Sequence, residues 1–104
     1  MSVAEVIAGD KTWHVEAADC IAFLDALPAD SVDLVFGSPP YMDARTYGID
    51  ATRGCQKWVD WMLQVTEAAV RVSKGLVLWV CAGVQRALCY WPGPEGLAWE
   101  WWKR

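Results

Sequence analysis

The apolar positions of this 104-residue chain change their spacing several times, and each spacing predicts a different element. Near the start, residues 3–7 and 12–17 are short segments that contain β-branched side chains. They flank Gly9 and Asp10, a pair typical of a tight turn. The pattern therefore predicts two short strands joined by a hairpin.

A short helix is predicted over residues 20–27. Asp19 is a residue type that favours the N-cap position, and Pro28 cannot continue the helix. Its apolar side chains fall on one side of the predicted helix: Cys20, Phe23, Leu24 and Leu27.

The longest periodic segment of the chain follows residue 54. Its apolar positions recur with the 3.6-residue period of an amphipathic helix: Trp58, Trp61, Met62, Val65, Ala68, Ala69 and Val72. The two tryptophans on this stripe are interpreted as packing residues. Residues 73–75 end the helix, and residues 76–80 are a continuous apolar run, typical of a strand buried on both faces of a parallel sheet. A short helix over residues 84–90 is predicted before Pro92.

The most informative stretch is an apolar run that ends in a Ser-Pro-Pro-Tyr corner. Residues 32–37 predict a buried strand, which Gly37 terminates. Pro39 and Pro40 lack backbone donors and have a fixed φ, so the chain leaves the sheet as a stiff extended corner. Such a corner holds carbonyl oxygens in place and presents the Tyr41 ring from a rigid base, which suits a site for a flat ring with an exocyclic amine. The alternative is an ordinary Pro-Pro turn in which Tyr41 only packs.

The order of strands and helices predicts a doubly wound α/β fold in one domain, residues 1–104. The hydrophobic fraction of 55% and the charged fraction of 21% are typical of a chain that forms a core. In such folds ligands bind beyond the carboxyl ends of the strands. The corner at residues 38–41 lies at such an end, so we expect it to line a concave surface there.

Hydropathy, the amino terminus and charge indicate whether a membrane or a nucleic acid is a partner of this chain. No apolar run reaches the roughly 18 residues of a membrane span, and the first residues have neither a basic patch nor an apolar signal core. We therefore expect a cytoplasmic protein without a membrane partner. The net charge is −4 and the basic residues are scattered. A nucleic-acid partner would consequently have to be gripped by a surface outside this chain.

Metal chemistry has little support in the sequence. The four cysteines form no Cys-x-x-Cys pair, so we expect free thiols and no metal site. His14 and Glu16 match the His-x-Glu of zinc deaminases, but the Pro-Cys-x-x-Cys partner motif is absent. His14 is expected to face solvent or to cap a strand.

The stretch AADCIAFLDALPADSVDLVFGSPPY resembles the N-terminal opening of the beta-type amino-group DNA methyltransferases, which make N4-methylcytosine or N6-methyladenine. The resemblance runs from about Trp13 to Val80. It implies a Rossmann-like S-adenosylmethionine-dependent methyltransferase fold, here an incomplete, mainly parallel sheet with flanking helices. It also implies S-adenosylmethionine as the cofactor and double-stranded DNA as the substrate.

By this resemblance, Ser38, Pro39, Pro40 and Tyr41 form the catalytic corner. The Ser38 side chain and the Pro39 carbonyl would accept hydrogen bonds from the amine of the target base, which localises the lone pair on its nitrogen. Tyr41 would stack on the base after it is flipped from the duplex. Methyl transfer would be a direct in-line attack in which alignment is the main catalytic term. A serine in the first position is typical of N4-cytosine enzymes, and an aspartate or asparagine of N6-adenine enzymes, so cytosine is expected and adenine is the alternative.

Three further residues receive roles from the resemblance. Asp19 would lie near the adenosine of the cofactor, although a simple helix cap explains the same residue type. Arg45 and Tyr47 lie in the polar segment 42–54, similar to the loop that closes over the flipped base and contacts DNA. A solvated loop arginine is the alternative for Arg45.

The chain also departs from this family. It has no Phe-x-Gly-x-Gly turn, the main site for the methyl donor, and in the beta-type order that turn follows the corner. We therefore expect the N-terminal piece of a longer methyltransferase domain, inactive alone and without measurable S-adenosylmethionine binding. Trp99, Trp101 and Trp102 would contact the remainder of the enzyme or a second copy, unless they fold back onto the core. Alternative functions are an RNA or protein amino methyltransferase and a non-enzymatic α/β interaction module.

Overall fold

The computed structural model describes residues 3–40, 55–81, 84–86, 89–91 and 93–104. Within these ranges the chain forms four helices and four strands in a mixed α/β arrangement. No helix in the described ranges is both long enough and apolar enough to cross a membrane.

The first element is a helix, α1 (Val3–Ile7), where the sequence pattern predicts a strand. Gly9 has a φ of +86° and ends this helix. Its N–H donates to the Val6 carbonyl at 3.0 Å, and the Asp10 N–H donates to the Glu5 carbonyl at 2.8 Å. This pair of bonds is a Schellman motif, so the glycine closes a helix and does not turn a hairpin. Residues 12–17, also predicted as a strand, form none in the described structure.

The second helix, α2 (Cys20–Asp25), confirms the predicted helix and its cap, although it ends two residues before the predicted boundary. The Asp19 side chain accepts a hydrogen bond from the Ala22 N–H at 3.0 Å. Arg71 fastens the far end of α2, because its Nη2 donates to the Leu24 and Leu27 carbonyls at 2.7 Å each.

Helix α3 (Cys55–Val72) contains most of the described core. The apolar stripe predicted from the sequence is confirmed: each of its members is buried except Trp61, which is half-buried. Trp58, Met62 and Val72 are the largest fully buried side chains. The core therefore lies along one face of this helix.

Two short parallel strands follow the predicted order, β1 (Val35–Gly37) and β2 (Val77–Trp79). Phe36 pairs with Leu78 in the centre of the register. The expectation of burial on both faces is wrong. The face opposite to that of Trp79 leaves large apolar side chains exposed, namely Leu34, Phe36, Leu76, Leu78 and Val80. The described elements cover only the Trp79 face, where that ring packs against the core.

The next segment forms strands instead of the helix predicted over residues 84–90. These are β3 (Val84–Arg86) and β4 (Cys89–Trp91), which pair antiparallel with Gln85 opposite Tyr90. Valine, tyrosine and tryptophan have high strand propensity, and here their pairing prevails over the helical spacing.

The last helix, α4 (Gly93–Trp102), packs against α3 through the buried Leu97. One of its three tryptophans packs against the core, and the other two are exposed to solvent. Trp101 packs against the core, whereas Trp99 and Trp102 are 57% and 75% exposed and stack with centroids 5.4 Å apart. Arg104 forms an ion pair with Glu67 on α3. The expected exposed cluster therefore holds for Trp99 and Trp102. The alternative, packing against the chain's own core, holds for Trp101.

Candidate active-site corner

Ser38 lies immediately beyond the carboxyl end of β1 and is exposed. Its hydroxyl donates to the Val80 carbonyl at 3.2 Å. The Val80 N–H in turn donates to the Gly37 carbonyl at 2.9 Å, so the ends of the two parallel strands are joined. Because the Ser38 hydroxyl uses its hydrogen on Val80, the lone pairs of its oxygen can accept hydrogen bonds from a ligand.

The two prolines that follow are half-buried. The Pro40 carbonyl accepts a hydrogen bond from Trp58 Nε1 at 2.7 Å. Trp58 is 1% exposed, so a core residue holds the corner. The helical pattern predicts Trp58 only as a packing residue and gives no sign of this contact. The general need of a buried indole N–H for an acceptor is the signal that could have indicated it.

Tyr41, Arg45 and Tyr47 lie outside the described residues. Base stacking by Tyr41 and DNA contact by Arg45 and Tyr47 therefore stay predictions. The concave surface expected around the corner also stays a prediction.

Asp19 lies on a different element from the corner, at the N-terminus of α2. One of its carboxylate oxygens, Oδ2, caps the helix. The helix-cap interpretation of Asp19 is therefore confirmed, and its role at the cofactor stays a prediction. The described residues do not form a complete pocket for S-adenosylmethionine, because Asp19 does not line the mainly apolar cavity that they enclose.

The expectation that His14 faces solvent or caps a strand is wrong. Its side chain is 8% exposed, and its ring stacks on Phe23 with centroids 6.5 Å apart. Nε2 lies 3.1 Å from Glu16 Oε1, and the buried Nδ1 has no hydrogen-bond partner in the described structure. No group of three or more potential metal ligands occurs among the described residues.

Two of the cysteines are observed as free thiols, Cys20 and Cys81. Burial raises the pKa of the Cys81 thiol above its ordinary value, and the negative charge of Glu95 adds to the effect. Burial also raises the pKa of the Cys20 thiol, with a smaller contribution from Asp19. Both thiols therefore favour the protonated, less nucleophilic form.

A cavity of about 420 Å³ lies on the helix-covered side of β2. Its walls are mainly apolar and come from α3, β2 and α4, with Trp79, Leu97 and Trp101 among them. Ser38, Pro39 and Pro40 are not part of its lining. The cavity is therefore a gap between packed elements and not an extension of the corner.

Comparison with known proteins gives one informative likeness. The chain is similar to DNA adenine methyltransferase YhdJ of Escherichia coli (strain K12), with 31% identity over 67 residues. These residues are 64% of this chain and 23% of the relative, so the match spans less than a quarter of that protein. No protein-family model and no solved structure matches the chain. The likeness supports a relationship to DNA methyltransferases.

Proposed function

We propose that this chain carries the base-binding corner of a DNA methyltransferase that methylates the exocyclic amine of a flipped base. The observation that carries the proposal is the 31% identity over 67 residues to a DNA adenine methyltransferase. The position of Ser38 supports it, because ligands of α/β proteins bind beyond the carboxyl ends of parallel strands. In this proposal β1 and β2 are two strands of a mainly parallel, Rossmann-like sheet.

The corner would act by orienting the amine. The Ser38 oxygen has its hydrogen directed to Val80, so it would meet the amine as an acceptor. The Pro39 carbonyl would be the second acceptor, and Tyr41 would stack on the ring of the base. Two fixed acceptors draw the amine nitrogen towards tetrahedral geometry, which makes its lone pair available to an electrophile. Alignment of this kind can supply several kcal/mol of a reaction barrier.

The proposal assigns only the base, and not the methyl donor, to the corner. S-adenosylmethionine is the donor that a relationship to methyltransferases implies. Asp19 is the one residue of this chain proposed near its adenosine. No reaction step is assigned to the cofactor, because the described residues do not form its complete pocket.

Two bases remain candidates for the substrate. A serine at position 38 favours N4 of cytosine, and the name of the E. coli relative favours N6 of adenine at least as well. Both are exocyclic amines of flat rings, so the same corner chemistry serves either. Nucleoside analysis of the methylated DNA distinguishes them.

The name of the relative favours DNA as a partner, and charge and exposure favour a further polypeptide. Double-stranded DNA is the substrate, with Arg45 and Tyr47 as contacts. A chain of net charge −4 with scattered basic residues needs further phosphate contacts from another polypeptide, which we propose to be the remainder of a methyltransferase. The exposed rings of Trp99 and Trp102 favour contact with that polypeptide or with a second copy of this chain.

A graft tests the proposed function directly. Residues 13–80 of this chain replace the corresponding segment of the E. coli relative. Transfer of a radiolabelled methyl group to DNA is then measured, and the nucleosides are separated. We expect methylated cytosine or adenine. Tyr41→Ala should remove most of the transfer, because a base–aromatic stack contributes about 1–3 kcal/mol.

The matched control in the graft is Val70→Ala, at an exposed position of α3 away from the corner. It should methylate at the rate of the unaltered graft. A folded graft that yields no methylated nucleoside would contradict the proposal. Methylation at the parental rate by the Tyr41→Ala graft would contradict the role of the ring.

A further inference from the structure

The corner is held at two points by residues of different elements. At one end the Ser38 hydroxyl donates to the Val80 carbonyl beside β2. At the other end the Pro40 carbonyl accepts from Trp58 Nε1 at 2.7 Å, the shorter of the two bonds. The second bond joins residues 18 positions apart in the chain.

The donor of this second bond is unusually well fixed. Trp58 is 1% exposed and packs in the core cluster with Val59 and Met62. A rigid indole in a close-packed core gives its N–H one direction only. Pro40 has no backbone N–H, so its carbonyl is the only backbone group through which it can be held by a hydrogen bond.

We propose that Trp58 is a positioning residue for the corner. Its indole N–H fixes the Pro40 carbonyl and thereby sets where the Ser38 oxygen and the Pro39 carbonyl stand relative to the amine of a bound base. The chemical consequence rests on the proposed function, whereas the anchor itself is a property of the fold.

The chain offers a matched control on the same helix. Trp61 lies one turn beyond Trp58, is half-buried and packs against the same core, but the bond to Pro40 belongs to Trp58. Trp58→Phe and Trp61→Phe each exchange an indole for a phenyl ring in that core. Only the first removes the donor that reaches the corner.

The anchor is tested in the whole chain by nuclear magnetic resonance, with ¹³C-labelled proline carbonyls and ¹⁵N-labelled tryptophan indoles. In the unaltered chain we expect a scalar coupling across the hydrogen bond between Trp58 Nε1 and the Pro40 carbonyl carbon. The Pro40 carbonyl signal should move in Trp58→Phe and stay in place in Trp61→Phe. Absence of the coupling, or an unmoved Pro40 signal in a folded Trp58→Phe chain, would overturn the anchor. The coupling needs no substitution, so the anchor is testable even if Trp58→Phe does not fold.

The positioning role is tested by separating kcat from KM in the grafted enzyme. Trp58→Phe should lower kcat by about 10-fold to 100-fold with KM nearly unchanged, because misalignment acts on the transition state. Trp61→Phe should stay within about threefold of the parent, a range typical of a modest loss of packing. Equal losses of kcat in the two variants would mean that Trp58 only supports the core. A parent graft that transfers no methyl group overturns the proposed function and this role together, while the Pro40 signal still decides the anchor.

Discussion

The packing of α4 on α3 gives a sharp stability prediction, because one helix presents a buried leucine and an exposed tryptophan. Leu97 is 7% exposed, and Trp99 is 57% exposed. Leu97→Ala removes three carbon atoms from the core, which costs about 2.5 kcal/mol of transfer free energy at roughly 0.8 kcal/mol for each. Leu97 already borders a cavity of about 420 Å³. Few neighbouring atoms can therefore move in to fill the space that the truncation leaves. We therefore expect a loss of about 2–4 kcal/mol in the free energy of unfolding.

Trp99→Ala is the matched comparison, since it deletes a larger side chain from the same helix. It should cost less than about 1 kcal/mol, because it removes mainly exposed surface and one stacked contact with Trp102. Urea denaturation followed by far-ultraviolet circular dichroism measures both free energies. If Trp99→Ala costs as much as Leu97→Ala, the described orientation of α4 is wrong.

Three further predictions concern other parts of the fold. Gly75→Ala should lower the free energy of unfolding by about 1–3 kcal/mol in the same assay, because the new Cβ would lie 2.7 Å from the Asp33 carbonyl oxygen; an unchanged urea midpoint would contradict that close approach. Arg71→Met keeps the aliphatic stem but loses both bonds to the carbonyls at the end of α2, so it should cost about 1–2 kcal/mol and speed amide hydrogen exchange in α2 more than in α3. The Cys81 thiol should be alkylated more slowly at mildly alkaline pH in the folded chain than in urea, as read by mass spectrometry of its peptide, because burial and then Glu95 raise its pKa. Equal alkylation rates in the folded chain and in urea would contradict the burial of Cys81. The free energy of folding linked to this raised pKa is fully present below the ordinary thiol pKa of 9.0, and it is lost as the pH rises through the pKa of the folded state.

The long periodic helix α3 is predictable from sequence, whereas some short segments, such as residues 3–7 and 84–90, are predicted wrongly. The stripe on α3 repeats over several turns, so no single residue decides it. Helix α1 has only five residues, too few to show a helical period. Its β-branched side chains, such as Val3 and Ile7, favour a strand. The outcome depends on Gly9, whose left-handed backbone allows the two closing bonds of the Schellman motif. A glycine serves a hairpin or a helix end equally well, so the sequence alone leaves that choice open.

Some features of the candidate site are likewise predictable from sequence, and others are not. The strand, the corner and its place at the carboxyl end of a parallel pair are predictable, because local residue types define them. The two hydrogen bonds that hold the corner are not predictable. Trp58 lies 18 positions from Pro40, and Val80 lies 42 positions from Ser38. Contacts over such distances depend on how α3 and β2 pack.

The bond between Ser38 and Val80 restricts how this corner can change by mutation. Position 38 must donate a hydrogen to a carbonyl oxygen 3.2 Å away, and a serine hydroxyl does so. An asparagine can also donate, through its side-chain amide, whereas an ionised aspartate can only accept and would face the carbonyl with like partial charge. Of these two residues, asparagine is thus the conservative exchange at position 38. A path from serine to aspartate would need a compensating change beside Val80.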